Sequence, residues 1–343
     1  MMFEDVSTEF QKRFKIKDAE FRNANLDWDV LTAIYNDYES YKVSLGLISE
    51  IVSKELMRID GVHSVRARVK DSFHLLDKII RKSIRKSKET GLENYSISVD
   101  NYRSEITDLI GVRAIHLFKE SASNIDSYIR DSWTLYETPI VYYRAGDSIE
   151  ELIEKQSVPD DFDYKKHEYG YRSWHYLISS HFTKQENIVE IQVRSLFEEG
   201  WSEVDHQLRY PNNTDNLLLT EQLLVLNRIA GSADEMVDTI KDTKSFYDSM
   251  EAERGELKEL ISSLKQEIAS IADAPTQEEQ ASMSAKLMKI ETFYQKNPLV
   301  ESLQAWERDM EPIRNNPGAK LQKQLQAFNK LSDSLTSMTL RIF

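Results

Sequence analysis

One short segment carries an acid, an amide and a base at alternate positions: Glu190, Gln192 and Arg194, with Ile191 and Val193 between them. Successive side chains of a β-strand point to opposite faces. The three polar groups would therefore share one face of a strand, while the two β-branched residues face the core. Such a polar face on an apolar strand favours a binding or catalytic site. An exposed amphipathic edge strand explains the same alternation equally well.

A second group of charged residues is basic and lies earlier in the chain. Residues 61–90 contain nine Lys and Arg against three Asp and Glu, in a protein whose formal net charge is −14. Arg68 and Lys70 share a face if the chain is extended, and Lys78 follows one or two helical turns later. Such a bend can surround a polyphosphate, because arginine contacts oxygens through its planar fork and lysine acts as a point charge. For residues 81–88, a solvated helix face is the alternative.

Three further residues complete the candidate chemistry. Asp108 precedes a predicted strand at 112–118, and we expect it to converge with Glu190 on one divalent cation, since Mg²⁺ prefers one or two carboxylates plus phosphate oxygens. The alternative for Asp108 is a turn or cap acid. Tyr171 offers a ring face on which a nucleobase can stack, and its alternative is a half-buried structural tyrosine. A structural role is likewise the alternative for His175.

In this order, the residues resemble the synthetase domain of RelA/SpoT-type alarmone synthetases over roughly residues 61–212. The resemblance is carried by Arg68-x-Lys70 with Lys78, Asp108-Leu-Ile-Gly-Val-Arg113, Gly170-Tyr171-Arg172-Ser173-x-His175, Glu190-x-Gln192-x-Arg194, and Trp201 with His206. It implies an α+β fold, a nucleotidyltransferase-like mixed β-sheet flanked by helices, with helical N- and C-terminal extensions. It also implies an ATP-dependent pyrophosphokinase that transfers pyrophosphate to the ribose 3′-hydroxyl of GDP or GTP, making (p)ppGpp and releasing AMP in the stringent response.

The resemblance assigns roles to individual residues. The ATP phosphates would be bound by Arg66, Arg68, Lys70 and Lys78. Asp108 and Glu190 would be the catalytic residues and the ligands of Mg²⁺, with Glu190 assisting deprotonation of the 3′-hydroxyl as general base or through the metal. The acceptor would be bound by Lys166, Tyr171, His175, Gln192 and Arg194, with Tyr171 stacking on its base.

The segment before Gly170 departs from the family pattern and leaves the acceptor open. Members that make guanosine alarmones commonly carry Lys-Pro-Asn there, whereas this chain has Lys166-His-Glu-Tyr169, and His74 stands where a serine is common. Related toxic small synthetases of toxin–antitoxin systems apply the same chemistry to the 3′ CCA end of tRNA, or to an adenine nucleotide. A non-catalytic nucleotide-binding or helical interaction protein is the third alternative.

The elements that must position these residues divide the chain into three regions. We predict a helical extension over 1–60, the synthetase domain over 61–215, and a helical C-terminal region over 216–343 with helical hairpins rather than one long coiled coil. The strands are predicted at 112–118, 139–143, 174–180 and 187–193, with a hairpin turn near 184–187, and the helices of the domain at 71–89, 121–133 and 195–208.

The composition of the 343 residues excludes several classes of protein. The absence of cysteine excludes disulfides, thiolate zinc sites and cysteine nucleophiles, and fits a reducing cytoplasm. No apolar run is long enough for a bilayer and no signal peptide is present, so we expect a cytoplasmic protein without a membrane partner. Sixty N-terminal residues are too few for the hydrolase domain of long family members, so a monofunctional synthetase is expected. The C-terminal helices are expected to bind a second copy of the chain or a regulatory partner.

Overall fold

The computed structural model describes residues 3–14, 26–90, 95–154, 161–182, 186–209 and 216–270, together with a few positions between 281 and 288. The chain divides into two compact units, Met1–Thr243 and Lys244–Phe343. The β-sheet and all the predicted site residues belong to the first unit. Among the described residues, no helix is both long and apolar enough to cross a membrane.

Within the described residues, seven strands form one mixed sheet. They are β1 (Val62–Val69), β2 (Ile110–His116), β3 (Thr134–Leu135), β4 (Ile140–Tyr143), β5 (Asp163–Lys166), β6 (Ser173–Ser180) and β7 (Asn187–Ser195). The order across the sheet is β1-β2-β7-β6-β4-β5, and the short β3 pairs with β6. The pairs β2–β7 and β4–β5 are parallel, and the other pairs are antiparallel.

Helices precede the first strand, connect several of the strands and follow the last one. They are α1 (Phe3–Arg13), α2 (Trp28–Leu56), α3 (Ser72–Thr90), α4 (Tyr102–Glu105), α5 (Ser121–Ser132), α6 (Ile149–Glu154), α7 (Leu196–Leu208) and α8 (Leu217–Ser270). Helix α2 packs on β1 and β2, and its buried Leu31 and Ile34 join the core that Ile79 and Ile80 of α3 complete. The predicted α+β mixed sheet with flanking helices is confirmed.

The strand β7 runs directly into α7, and one residue joins them. The hydroxyl of Ser195 accepts a hydrogen bond from the backbone N–H of Glu198, and the Glu198 carboxylate accepts one from the backbone N–H of Ser195. This reciprocal pair is a capping box, which satisfies two of the free donors at a helix start. It therefore fixes the direction of α7 relative to the polar face of β7.

The structure adds strands that sequence patterns did not predict. β1 is an edge strand on which charged residues interrupt the apolar alternation, and β5 is only four residues long, so neither carries the period-two signal of a half-buried strand. Residues 184 and 185 of the predicted turn lie outside the described residues, although β6 and β7 pair as antiparallel neighbours from Ser180 and Asn187 onward. The described start of the C-terminal region is the single helix α8, and residues 291–343 are not described.

Candidate active site

The polar face predicted for β7 is present. β7 lies between β2 and β6, so the alternative of an exposed edge strand is wrong. Ile191 and Val193 are buried in the core, as the alternation requires. On the other face, Gln192 Nε2 donates a hydrogen bond to Glu190 Oε2 at 2.7 Å, and the guanidinium of Arg194 donates to Gln192 Oε1.

Two residues from the Gly170-Tyr-Arg-Ser-Trp-His segment close this row into a ring of polar groups. Arg194 Nη2 donates to the hydroxyl of Tyr171 at 2.6 Å, and that hydroxyl lies 2.8 Å from His175 Nε2. The other ring nitrogen, His175 Nδ1, lies 3.5 Å from Glu190 Oε1. If the Tyr171 hydroxyl donates to Nε2, the imidazole proton sits on Nδ1 and faces the carboxylate. The structure thus brings together four of the five predicted acceptor residues and Glu190.

The pKa of Glu190 reflects this setting. Burial raises the pKa of the carboxyl, but the hydrogen bond and charge of His175 and the charge of Lys78 together lower it by more, so the net pKa is below its usual value. Asp108 acts in the opposite direction and raises the pKa of Glu190. The two predicted catalytic carboxylates are therefore near enough to interact electrostatically, and Glu190 is ionised at neutral pH.

Asp108 lies two residues before β2 and is held by two lysines. Lys70 Nζ is 2.8 Å and Lys78 Nζ 2.7 Å from Asp108 Oδ2. Burial raises the pKa of Asp108, but the ammonium groups of Lys70 and Lys78 together lower it by more, so the net pKa lies below its usual value. The other oxygen, Asp108 Oδ1, is buried and accepts no hydrogen bond from the described residues. An ionised, buried oxygen of this kind is suited to a cation.

Strand register places Arg68 opposite these acids. Arg68 pairs with Gly111 across β1 and β2, and Gly111 pairs with Glu190 across β2 and β7. Paired residues on adjacent strands present their side chains to the same face, so Arg68 and Glu190 flank a position without a side chain. The Arg68 side chain is exposed and forms no hydrogen bond or ion pair with the described residues.

The side chains of two predicted site residues form no hydrogen bond or ion pair with Asp108 or Glu190. Arg66 Nη1 lies 3.0 Å from Glu199 Oε1 of α7, in a cluster that also includes Arg113 and the buried Arg194. Its guanidinium is thus directed towards α7 and an acid instead of Asp108. Lys166 is exposed at the end of β5, and its side chain makes no hydrogen bond or ion pair with the described residues.

The structure also identifies neighbours that sequence patterns missed. The rings of Tyr142 and His167 lie 5.8 Å and 5.3 Å from the ring of Tyr171, and the Arg194 guanidinium lies over that ring at 5.0 Å. His167 belongs to the segment that departs from the family pattern, and that departure was the available signal. Glu199 gave no such signal, because only the folded chain brings three arginines to it.

A second pair of carboxyls lies at the start of α7. Ser195 Oγ donates to Asp234 Oδ2 of α8 at 2.8 Å, and Asp234 is 2% exposed. Burial and the nearby Glu198 raise the pKa of Asp234 to about 7, although Ser195, Lys119 and Arg172 lower it. Burial likewise raises the pKa of Glu198. Two buried acids that repel each other retain one proton between them more readily than either would alone.

The cations of α3 beyond Lys78 mostly contact acids. The pairs are Arg81 with Asp77 at 3.0 Å, Lys82 with Glu105 at 2.9 Å, Arg85 with Glu89 at 3.7 Å and Lys86 with Glu89 at 3.8 Å. Within the described residues, this stretch is a helix face on which acids offset much of the positive charge.

Comparison with known proteins identifies one family model, described as a region found in RelA / SpoT proteins, which matches residues 67–215. No curated protein sequence matches the chain. Among solved structures, the small alarmone synthetase 1 from Bacillus subtilis is 20% identical, with 61% of this chain and 97% of that chain covered and a TM-score of 0.46. A GTP pyrophosphokinase family protein from Streptococcus pneumoniae is 18% identical, with 65% and 96% covered and a TM-score of 0.39. Similarity at this level carries no information about substrate.

Proposed function

We propose, from the match of residues 67–215 to the model of a region found in RelA / SpoT proteins, that this protein transfers the pyrophosphate of ATP to the 3′-hydroxyl of GDP or GTP, making (p)ppGpp and AMP. The family recognised from the order of the motifs is confirmed for this region. The observation that carries the proposal is the contact of Asp108 with both Lys70 and Lys78 beside the Glu190 carboxylate. It joins two separate sequence motifs into one cluster of acids and cations.

The reaction explains why these residue types lie together. The acceptor 3′-oxygen forms a bond to the β-phosphorus of ATP, and the bond from that phosphorus to the α–β bridging oxygen breaks, so that AMP leaves. The proton of the 3′-hydroxyl passes to Glu190. Four phosphate charges crowd the reacting centre, and positioned cations supply most of the catalysis in phosphoryl transfer. Arg68 and Lys78 are exposed enough to reach the ATP phosphates, whereas Lys70 is largely buried and holds Asp108 in place.

The two carboxylates fit a magnesium ion. Among the described residues no three His, Cys, Asp or Glu side chains form a metal-binding group, but Mg²⁺ on a nucleotide needs only one or two protein carboxylates. Asp108 Oδ1 is buried without a hydrogen-bond partner among the described residues, so it is the better placed ligand, with Glu190 as the second. When bound, the ion would neutralise phosphate charge during the transfer.

The acceptor we propose is the guanine nucleotide rather than tRNA. RNA would have to be held by cations that contact several backbone phosphates. The basic stretch of α3 at 81–88 is largely paired with acids, which favours the solvated helix face over an RNA-binding surface. By contrast, Tyr171 has Tyr142, His167 and His175 as aromatic neighbours, and such a cluster suits a single nucleobase.

The proposal is tested by incubating the protein with γ-labelled ATP, Mg²⁺ and one acceptor at a time: GDP, GTP or deacylated tRNA. We expect label on the guanine nucleotides. The Glu190→Gln variant should lose transfer and still bind ATP, while Glu50→Gln, which removes a charge from an exposed position of α2, should behave like the wild type. Label on tRNA alone would replace the proposed acceptor, and undiminished transfer by Glu190→Gln would refute the role of that carboxylate.

A further inference from the structure

Helix α8 begins after the RelA/SpoT region and packs back on it through one face. Its buried residues there are Leu223, Asn227, Ala230, Gly231 and Asp234, whereas Val225 and Ile229 are exposed on the opposite face. The buried positions recur every three or four residues, as one face of a helix does. Trp201 Nε1 of α7 donates a hydrogen bond to the backbone carbonyl of Leu223 at 2.8 Å. A directional hydrogen bond therefore accompanies the packing of α8 on the domain.

One residue of this face reaches the backbone of the acceptor segment. Asn227 Nδ2 donates a buried hydrogen bond to the carbonyl of Gly170 at 2.9 Å. Gly170 has φ +79°, and a Cβ added there would lie 2.8 Å from Asn227 Oδ1. The Asn227 amide thus occupies the space that a side chain at Gly170 would need. Gly170 directly precedes Tyr171, so the bond is made one residue from the proposed stacking ring.

Helix α8 also contacts Arg172, the residue that follows Tyr171 in the chain. A Cβ added at Gly231 would lie 2.7 Å from Arg144 Nη1 and 2.9 Å from Arg172 Nη1. Arg172 and Arg144 both pair with Asp147. The backbone of α8 at Gly231 therefore lies against the arginine that follows Tyr171, while Asn227 holds the glycine that precedes it. Tyr171 is fixed between two contacts with one helix.

We propose that Asn227 is a positioning residue of the acceptor site: by holding the Gly170 carbonyl, it sets the orientation of the Tyr171 ring for the acceptor base. This inference rests on the proposed pyrophosphate transfer to a nucleotide. It makes α8 a part of the catalytic unit, although the helix lies beyond residues 67–215. Among the described residues, no hydrogen bond or ion pair joins α8 to Arg68 or Lys78, which lie on the proposed ATP side.

The test compares Asn227→Ala, Asn227→Asp and the control Gln222→Ala, which removes an amide from an exposed position of the same helix. Loss of one buried hydrogen bond should raise the acceptor KM about three- to tenfold in Asn227→Ala. Asn227→Asp places a carboxylate oxygen against the carbonyl and should raise the acceptor KM further. The ATP KM of both variants, and both constants of Gln222→Ala, should stay within about twofold of the wild type.

A second measurement separates this inference from the proposed function. Amide hydrogen exchange of residues 168–176 should accelerate in Asn227→Ala and not in Gln222→Ala. If the wild-type protein transfers label to no acceptor, the proposed function fails, and exchange still decides whether Asn227 holds the segment. An unchanged acceptor KM in Asn227→Ala, or equal rises in the KM values of acceptor and ATP, would overturn the inference. Unchanged exchange in that segment would do so as well.

Discussion

Replacing Gly111 with valine should impair the use of ATP without unfolding the protein, because Gly111 leaves room for a side chain from the neighbouring strand. Gly111 lies between Arg68 on β1 and Glu190 on β7. Adjacent strands are about 4.8 Å apart, so the backbones of Arg68 and Glu190 are separated by about 10 Å. Arg68 leans over Gly111 across this gap: a Cβ added at Gly111 would lie 3.8 Å from both Cγ and Nε of Arg68.

The size of the substituent sets the expected effect. Alanine at 111 would meet Arg68 at an ordinary van der Waals distance, so kcat/KM for ATP should remain within about threefold of the wild type. Valine adds two methyl groups beyond that Cβ and must move the guanidinium outward. A displacement of about 1 Å in a positioning group can lower the rate roughly 100-fold. Because glycine in a strand interior is about 0.5–1 kcal/mol less favourable than alanine, Gly111→Ala should not reduce the stability.

The assay is the initial rate of label transfer at saturating acceptor, with ATP varied, for Gly111→Ala and Gly111→Val. Thermal unfolding of each variant provides the control for folding. A Gly111→Val protein that is folded and fully active would show that the path of Arg68 over this position has no role. A loss as large in Gly111→Ala as in Gly111→Val would show that the available space does not set the effect.

Two further predictions concern charged groups. Arg68→Ala should raise the ATP KM about tenfold or more. Arg66→Ala should change the ATP KM much less, because Arg66 is paired with Glu199. Equal increases of the ATP KM in steady-state kinetics would show that Arg66 also binds ATP. Thermal stability should fall as pH rises from about 4 to about 7, since the raised pKa of Asp234 means that the folded state keeps a proton the unfolded state has released. Asp234→Asn should reduce this slope, and a slope equal to that of the wild type in unfolding scans at pH 5.5 and 8 would contradict the proton sharing with Glu198.

The part of the site that the sequence predicts is the part determined locally. The alternation of Glu190, Gln192 and Arg194 places three side chains on one face in any regular strand, and the structure has them in contact. No local pattern places Asp108 beside Glu190. The expectation that they meet rests on the position of Asp108 before one predicted strand, the position of Glu190 within another, and the family resemblance. Parallel pairing of β2 and β7 then brings both to the same end of the sheet.

The contacts that sequence analysis missed depend on register and on distant packing. Arg66 and Arg68 alternate on the same strand, and nothing in their spacing indicates that only one of them is bound by an acid of α7. The bond from Asn227 to Gly170 joins residues 57 positions apart, and it comes from a helix that Trp201 and Ser195 also hold against the domain. A helical pattern in the sequence predicts the helix but does not identify the surface on which it packs.

Ion pairing differs between the two parts of the basic region, which are the stretch 81–88 of α3 and the pair Arg68 and Lys78. In the stretch 81–88 of α3, acids lie within ion-pairing distance of four cations. Exposed pairs of this kind contribute little to stability, but they reduce the positive potential that would attract a long polyanion. Arg68 forms no ion pair with the described residues, and Lys78 contacts the acid that we assign to the metal. Positive charge that no acid of α3 offsets is therefore available near Asp108, on the residues that we assign to the ATP phosphates.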